Sequence, residues 1–256
     1  MMGPVIDLHC HLLPGIDDGP ADLGAALALG RALVAEGVTT VTATPHVSPA
    51  HPNTAATIAP AREAVVAALQ REGVGLTVLG GAELDLLHVA ELGREELERL
   101  QLGTGGALLV ECPFAPAVPF FEERVARLQR DGFRVLLAHP ERSPAFLREP
   151  ALLERLVAAG ALASVTAASL AGRFGRTARR YAHWALDEDL VCDLASDAHD
   201  AVGRPPVLRA PAEEAGYGWL APWLTQEAPA AILAGEPLPE RPARPRRRWP
   251  SLRRGA

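Results

Sequence analysis

Val5–His11 reads VIDLHCH, a short β-rich run that ends in two imidazoles separated by one residue. Side-chain direction alternates along a strand, so His9 and His11 leave one side of it and Cys10 the other. Cys10 therefore reads as a core residue and not as a thiolate ligand. The same spacing returns late in the chain, where Leu190–Ala195 runs into Asp197-x-His199. Two matched pairs at the ends of two apolar runs fit poorly with incidental histidines.

Working outward, β-rich runs recur at Val38–Ala43, Leu76–Leu79, Leu108–Val110, Val135–Ala138 and Leu162–Val165. Between most of them lie Ala/Leu/Arg/Glu-rich stretches at helical period: Asp22–Glu36, Ile58–Glu72, Glu95–Leu100, Phe121–Asp131, Ala151–Ala159 and Arg176–Glu188. Gly37, Gly73, Gly132 and Gly160 stand where helices are expected to end. Repeated strand–helix alternation predicts a parallel sheet, open or closed into a barrel. In such folds the C-terminal ends of the strands share one face, which carries the active site.

The side chains at the ends of these runs are decisive. After His9 and His11 come His46, Glu83, Glu111, His139, and finally Asp197 with His199; only Leu162–Val165 ends without such a group, running into Thr166 and Ser169. The Asp17-Asp18-Gly19 turn adds a further carboxylate from one of its two acids. Unpaired carboxylates at the ends of apolar runs are rare unless a cation meets them. Nitrogen and oxygen donors in this number exceed one ion's needs and predict a cluster of two or three metals. They suit Mn, Fe or Zn better than Mg or Ca. Arg142 and Arg204 lie within a few residues of His139 and His199, and their guanidinium forks suit phosphate oxygens. His51, His88 and His183 lie away from strand ends and read as incidental. No Cys-x5-Arg phosphatase signature is present, since Ile16, Val118 and Ala198 stand six past the three cysteines.

The 256 residues carry 25 basic side chains, all arginine, against 31 acids, for a net charge of −6. Seven arginines lie in residues 241–256, which hold no acid. The remaining body has 18 arginines against 31 acids, or −13, a sign that argues against general nucleic-acid binding. Residues 1–240 read as a single domain, and 241–256 as a disordered basic tail suited to an anionic membrane or acidic partner. Three cysteines make a disulfide framework unexpected. The uncharged stretch of residues 156–172 is too short and too rich in small residues to span a membrane, for which about 20 apolar residues are needed. With no signal peptide in view, a cytoplasmic protein is expected.

The motifs IDLHCHLLPGIDDGP (Ile6–Pro20), TPH (Thr44–His46), GAEL (Gly81–Leu84), HPER (His139–Arg142), SLAGRFG (Ser169–Gly175) and SDAH (Ser196–His199) resemble the PHP superfamily, named for polymerase and histidinol phosphatase. More narrowly, they are similar to its CpsB/CapC-type bacterial protein-tyrosine phosphatases of capsule and exopolysaccharide synthesis. The resemblance spans about residues 5 to 239 and includes a closing helix within Leu224–Pro239. It implies a distorted seven-stranded TIM-like barrel with a trinuclear, typically manganese-dependent site.

Residue by residue, the resemblance implies that His9, His11 and Asp197 hold one ion, sharing Glu83 with a second held by Glu111 and His139. Asp18, His46 and His199 would hold the third, with Arg142 and Arg204 binding phosphate. A metal-bridging hydroxide would attack phosphorus, with His199 or Asp18 as the source of any proton. The implied substrate is the tyrosine-phosphorylated tail of a polysaccharide co-polymerase kinase. The alternatives are another PHP phosphoesterase, acting on histidinol phosphate or nucleotide ends, and a non-catalytic metal-binding scaffold. Two features depart from the family pattern: Ala168 where glycine is frequent, and an unusually apolar Leu84–Val89.

Overall fold

The computed structural model describes residues 3–89, 91–116 and 119–245. β1 (Val5–Cys10) leads into α1 (Leu23–Ala35), β2 (Val38–Ala43) and the two-residue β3 (His46–Val47). Next come α2 (Ala55–Arg71), β4 (Thr77–Gly80), β5 (Glu83–Asp85), α3 (Leu86–Val89), α4 (Arg94–Leu100) and β6 (Ala107–Glu111). The second half runs α5 (Phe121–Arg130), β7 (Arg134–Ala138), α6 (Pro144–Arg148), α7 (Ala151–Ala158), β8 (Leu162–Thr166) and α8 (Ala167–Leu170). It continues with α9 (Gly175–Asp187), β9 (Asp193–Ala195), α10 (Arg209–Glu214) and α11 (Ala228–Ala234).

Local sequence sets these boundaries. Asp22 caps α1 by accepting from the Ala25 N–H at 2.9 Å, as a short polar side chain at that position should. Thr54 and Thr57 form a capping box, which starts α2 at Ala55, ahead of the expected Ile58. Gly37, Gly73, Gly132 and Gly160 all adopt positive φ after their helices, where glycine has no Cβ to clash. The last strand is shorter than expected: Asp189, at φ +58°, turns the chain out of α9, and only Asp193–Ala195 pairs as strand. The uncharged stretch of residues 156–172 divides into the end of α7, a turn, β8 and α8. No helix among the described residues is long and apolar enough to cross a membrane.

All strand pairs are parallel, and they form two sheets: β1-β2-β4, and β3-β5-β6-β7-β8-β9. The division falls where two of the expected strands, β2 and β4, are each followed by a break and a short further strand, β3 and β5. Pro45 supplies no N–H to the ladder between β2 and β3. Between β4 and β5, Gly81 fits so closely that an added Cβ would lie 2.8 Å from the Thr42 methyl and 2.9 Å from a Leu102 methyl. Beyond the sheets, the first and last strands also meet. His11 N donates to Ala198 O and Asp197 N to His9 O, both at 2.9 Å, and Cys10 bridges Ala198 in parallel. The central strands β6 and β7 are buried almost throughout, as expected of parallel strands covered on both faces.

The tail begins by gripping the body. Arg241 pairs with Asp189 at 2.8 Å and lies 5.1 Å over the Trp223 ring, while Arg244 reaches Asp187 at 3.2 Å. The expected boundary after residue 240 thus falls within a docked segment; residues 246–256 lie outside the described residues.

Asp193 opens β9 fully buried, with Ser164 donating to its Oδ2 and no hydrogen-bond partner at Oδ1. Burial pushes this carboxyl up to about 7. The folded state therefore keeps a proton that the unfolded chain releases in the ordinary carboxylate range, and stability declines as pH rises through that window. Asp193→Asn should flatten the decline: between about pH 5 and about pH 8 its melting temperature should fall less than the parent's.

Candidate metal centre

The nine candidate ligands reach the same region from six strands and one loop. His9 leaves β1 and His11 follows it; His46 begins β3, Glu83 begins β5, Glu111 ends β6, and His139 follows β7. Asp197 and His199 follow β9, while Asp18 comes from the loop after β1. His139 and Asp197 take positive φ, +39° and +50°, although neither is glycine. Such strain concentrates at functional sites. Here it bends both residues away from strand geometry at their strand ends.

Glu83 is the hub. Its Oε2 lies 3.1 Å from His9 Nε2, 3.3 Å from His11 Nε2 and 3.2 Å from His46 Nδ1. Its Oε1 lies 2.8 Å from His139 Nε2. Asp197 Oδ1 lies 3.5 Å from both His9 and His11. Asp18 Oδ1 faces His199 Nε2 at 3.3 Å and His46 Nε2 at 3.6 Å. Four overlapping donor groups can each hold an ion: His11–Asp18–His46–His199, His9–His11–Glu83, His9–His139–Asp197 and His46–Glu83–Glu111. All nine residues named from the sequence fall within them. Glu111, expected beside His139, is grouped here with His46, and His9 with His139.

The donor chemistry fits cations. His9 Nε2 and His11 Nε2 stand 3.2 Å apart while facing the same carboxylate oxygens, a crowding of lone pairs that a positive ion resolves. Burial, then the charges of Glu83 and Asp85, push the Glu111 carboxyl up to about 8. Burial would raise Glu83 and Asp197 as well, but the neighbouring imidazoles, with Arg142 beside Asp197, outweigh it and hold both carboxyls well below the usual range. Burial also lowers His46 to about 4, leaving a neutral ring with a lone pair to give. Asp18 is half exposed and marks the open side of the cluster.

A second layer orients the ligands, and here sequence reading missed most. Asp17 accepts from His11 Nδ1 at 2.8 Å, Gly19 N at 2.9 Å and His46 N at 3.1 Å. The two acids of the DDG turn thus differ in role, one facing the cluster and one supporting it. Buried Asp7 accepts from Ser196 Oγ at 2.5 Å and Ser196 N at 3.0 Å, tying β1 to the run that carries Asp197. Buried Glu141 accepts from Ser169 Oγ at 2.7 Å and Thr166 N at 3.1 Å, which gives the ligand-free strand end a use. His51 stacks on His46, ring centres 5.5 Å apart, whereas His88 and His183 stay outside. An acid two residues before His-x-His was the available signal for Asp7.

Arg142 and Arg204 converge on one atom, Asp197 Oδ2, the latter at 2.6 Å. The Arg142 guanidinium lies between two rings, 4.4 Å from Phe174 and 5.6 Å from Phe114. Phe114 is itself exposed and near His139, ring centres 5.9 Å apart. Asp200 accepts from the N–H groups of Val202 and Arg204 and so shapes the loop bearing Arg204.

Comparison with known proteins gives the chain a family and relatives. A family described as "Capsular polysaccharide synthesis, CpsB/CapC" matches residues 5–215. The tyrosine-protein phosphatase YwqE of Bacillus subtilis is 33% identical over 201 residues, 78% of this chain and 79% of its own. CapC of Staphylococcus aureus, which carries the tyrosine-protein phosphatase name, is 30% identical over 207 residues, 80% of this chain and 81% of its own. A solved structure, from work on YwqE of Bacillus subtilis and CpsB of Streptococcus pneumoniae as metal-dependent tyrosine phosphatases, is also similar. It superposes with a TM-score of 0.81 at 30% identity, covering 93% of this chain and all of its own.

Because Asp17 supports two candidate ligands at once, Asp17→Asn should weaken divalent-cation binding by about 10- to 100-fold while leaving the fold intact. Calorimetric titration of the metal-stripped protein measures this; unchanged affinity would show that the support is dispensable.

Proposed function

The chain belongs to the CpsB/CapC family of capsular polysaccharide synthesis, and we propose on that premise that it is a metal-dependent protein-tyrosine phosphatase. The observation that carries the reading is the convergence of nine nitrogen and oxygen donors, from six strand ends and one loop, beside two arginines. The two sheets, with His9–His11 hydrogen-bonded to the run 197–198, read as one distorted seven-stranded barrel. Its C-terminal face is the active site.

The nine donors would hold two or three divalent ions, manganese by preference, with Glu83 placed among the imidazoles of His9, His11, His46 and His139. Bound ions of this kind activate water at neutral pH and neutralise phosphoryl oxygens. The chain supplies orientation and charge. Arg142 and Arg204 already bind one anionic oxygen of Asp197, and a phosphate offers oxygens of the same kind to the same forks. Phe114 and Phe174 hold the Arg142 fork in place, and the exposed Phe114 ring gives the substrate's aryl group an apolar surface at the mouth. The Asp18–His199 pair on the open side, 3.3 Å apart, is placed to hold or pass a proton. Phenol leaves with a pKa of about 10, so the reaction asks less of such an acid than an alkyl ester would. The protein substrate is the phosphotyrosine tail of a polysaccharide kinase, met in the cytoplasm.

Manganese-dependent turnover of a phosphotyrosine peptide should exceed that of histidinol phosphate and of a nucleotide monophosphate by a wide margin. Equal or reversed rates would move the protein to another branch of phosphoesterases. Arg142→Ala should lower kcat by about 10²- to 10³-fold, and His139→Ala or Glu111→Ala should abolish turnover with the circular-dichroism spectrum preserved. Full activity in any of these variants would refute the assignment of roles.

A further inference from the structure

Helix α9 is charged the wrong way round. Arg176, Arg179 and Arg180 occupy its first two turns, Arg173 precedes it, and Asp187, Glu188 and Asp189 close it. The helix dipole favours anions at the N-terminus and cations at the C-terminus, so both ends carry charge opposed to it. At the C-terminal end the cost is answered, because Arg244 and Arg241 pair with Asp187 and Asp189. At the N-terminal end nothing answers it. All four arginines are exposed, and no carboxylate among the described residues comes within ion-pair distance of any of them. In a body with a net charge of −13, these four exposed cations stand close together in the chain.

The patch is joined to the active site. Arg173 Nη2 donates to Gly203 O at 3.1 Å, in the loop that carries Arg204. Phe174, the next residue, stacks on Arg142 at 4.4 Å. A positive strip therefore runs from the two phosphate-binding arginines across Arg173 to α9. There a concavity of 590 Å³ is lined by Arg176, Arg179, Arg180, His183 and Trp184, with Asp187 and Glu188 at its far end. Along this strip an extended chain leaving the site meets guanidinium forks, which suit carboxylate and phosphate.

We propose that the N-terminal half of α9 is a docking surface for an anionic stretch of the protein substrate, carrying acidic or further phosphorylated residues beside the scissile phosphotyrosine. The inference rests on the tyrosine-phosphatase reading and names its substrate class: peptides whose flanks are negative. The surface raises the encounter rate and holds the chain in register, while the chemistry stays with the metal ligands, Arg142 and Arg204.

The test uses the manganese-loaded full-length protein and a triple variant, R176Q/R179Q/R180Q, with three probes. These are p-nitrophenyl phosphate, a phosphotyrosine peptide with acidic flanks, and the same peptide with neutral flanks. The variant should lose roughly tenfold in kcat/KM on the acidic peptide, chiefly through KM, and nothing on the other two. High salt should erase the difference between parent and variant. The lysine counterpart R176K/R179K/R180K should keep most of the effect. Its melting temperature, like that of the glutamine variant, should not fall, since no ion pair is removed. An unchanged preference for acidic over neutral flanks would overturn the proposal. So would loss of binding to phosphatidylserine vesicles with peptide kinetics intact, which would make the patch a membrane contact. If the parent protein turns over none of the three aryl phosphates, the phosphatase reading itself has failed and the docking surface falls with it.

Discussion

The contact on which the rest of the molecule depends is the meeting of β1 with the run after β9. Three features make it: Asp7 held by Ser196, Cys10 bridged to Ala198, and the paired hydrogen bonds between His9–His11 and residues 197–198. Buried and fully engaged polar groups specify one register, because a slip would leave carboxylate and peptide groups unsatisfied in a dry interior. That register places His-x-His against Asp-x-His. His46, Glu83, Glu111 and His139 are positioned relative to it by the parallel ladder that continues from β3 through β9, and Asp18 by the loop after β1.

Much of this was legible in the sequence because the signals are local. The alternation of apolar runs with helical stretches foretold the parallel strands, and a metal-type side chain after six of the seven runs foretold where they converge. Where reading fell short, the cause lies in contacts between distant residues. Asp7 and Glu141 are carboxylates whose partners are serines and backbone N–H groups far along the chain, and no local pattern announces such a pair. The stop at Pro45 could be read from the residue itself, but the break at Gly81 could not, because Gly81 is demanded by the methyls of Thr42 and Leu102. The contacts of Arg241 and Arg244 at the start of the basic tail were hidden for the same reason: the acids they meet, Asp189 and Asp187, lie at the end of α9.

The charge of the molecule divides by function. Part of the body's acidity is gathered at the metal centre, where Glu83, Glu111, Asp18 and Asp197 face five imidazoles. Cations bound there would remove much of the negative field at the mouth, so that Arg142 and Arg204 are no longer opposed by it. Under the proposed function the same residues would serve two needs in turn, holding metal and then allowing an anionic substrate to approach. Arginine alone supplies the body's basic side chains, and its planar fork explains how one residue can stack on Phe174 while pairing with Asp197.

The contact between β1 and the run after β9 also orders events in time. Cys10 and Ala198 are separated by 188 positions, and synthesis proceeds from the first toward the second. Until the later segment has left the ribosome, His9 and His11 lack Asp197 and His199. A growing chain can bind metal only through a partial set of donors, and an interrupted one never completes the centre. The full donor set therefore exists only once the chain through His199 is in place.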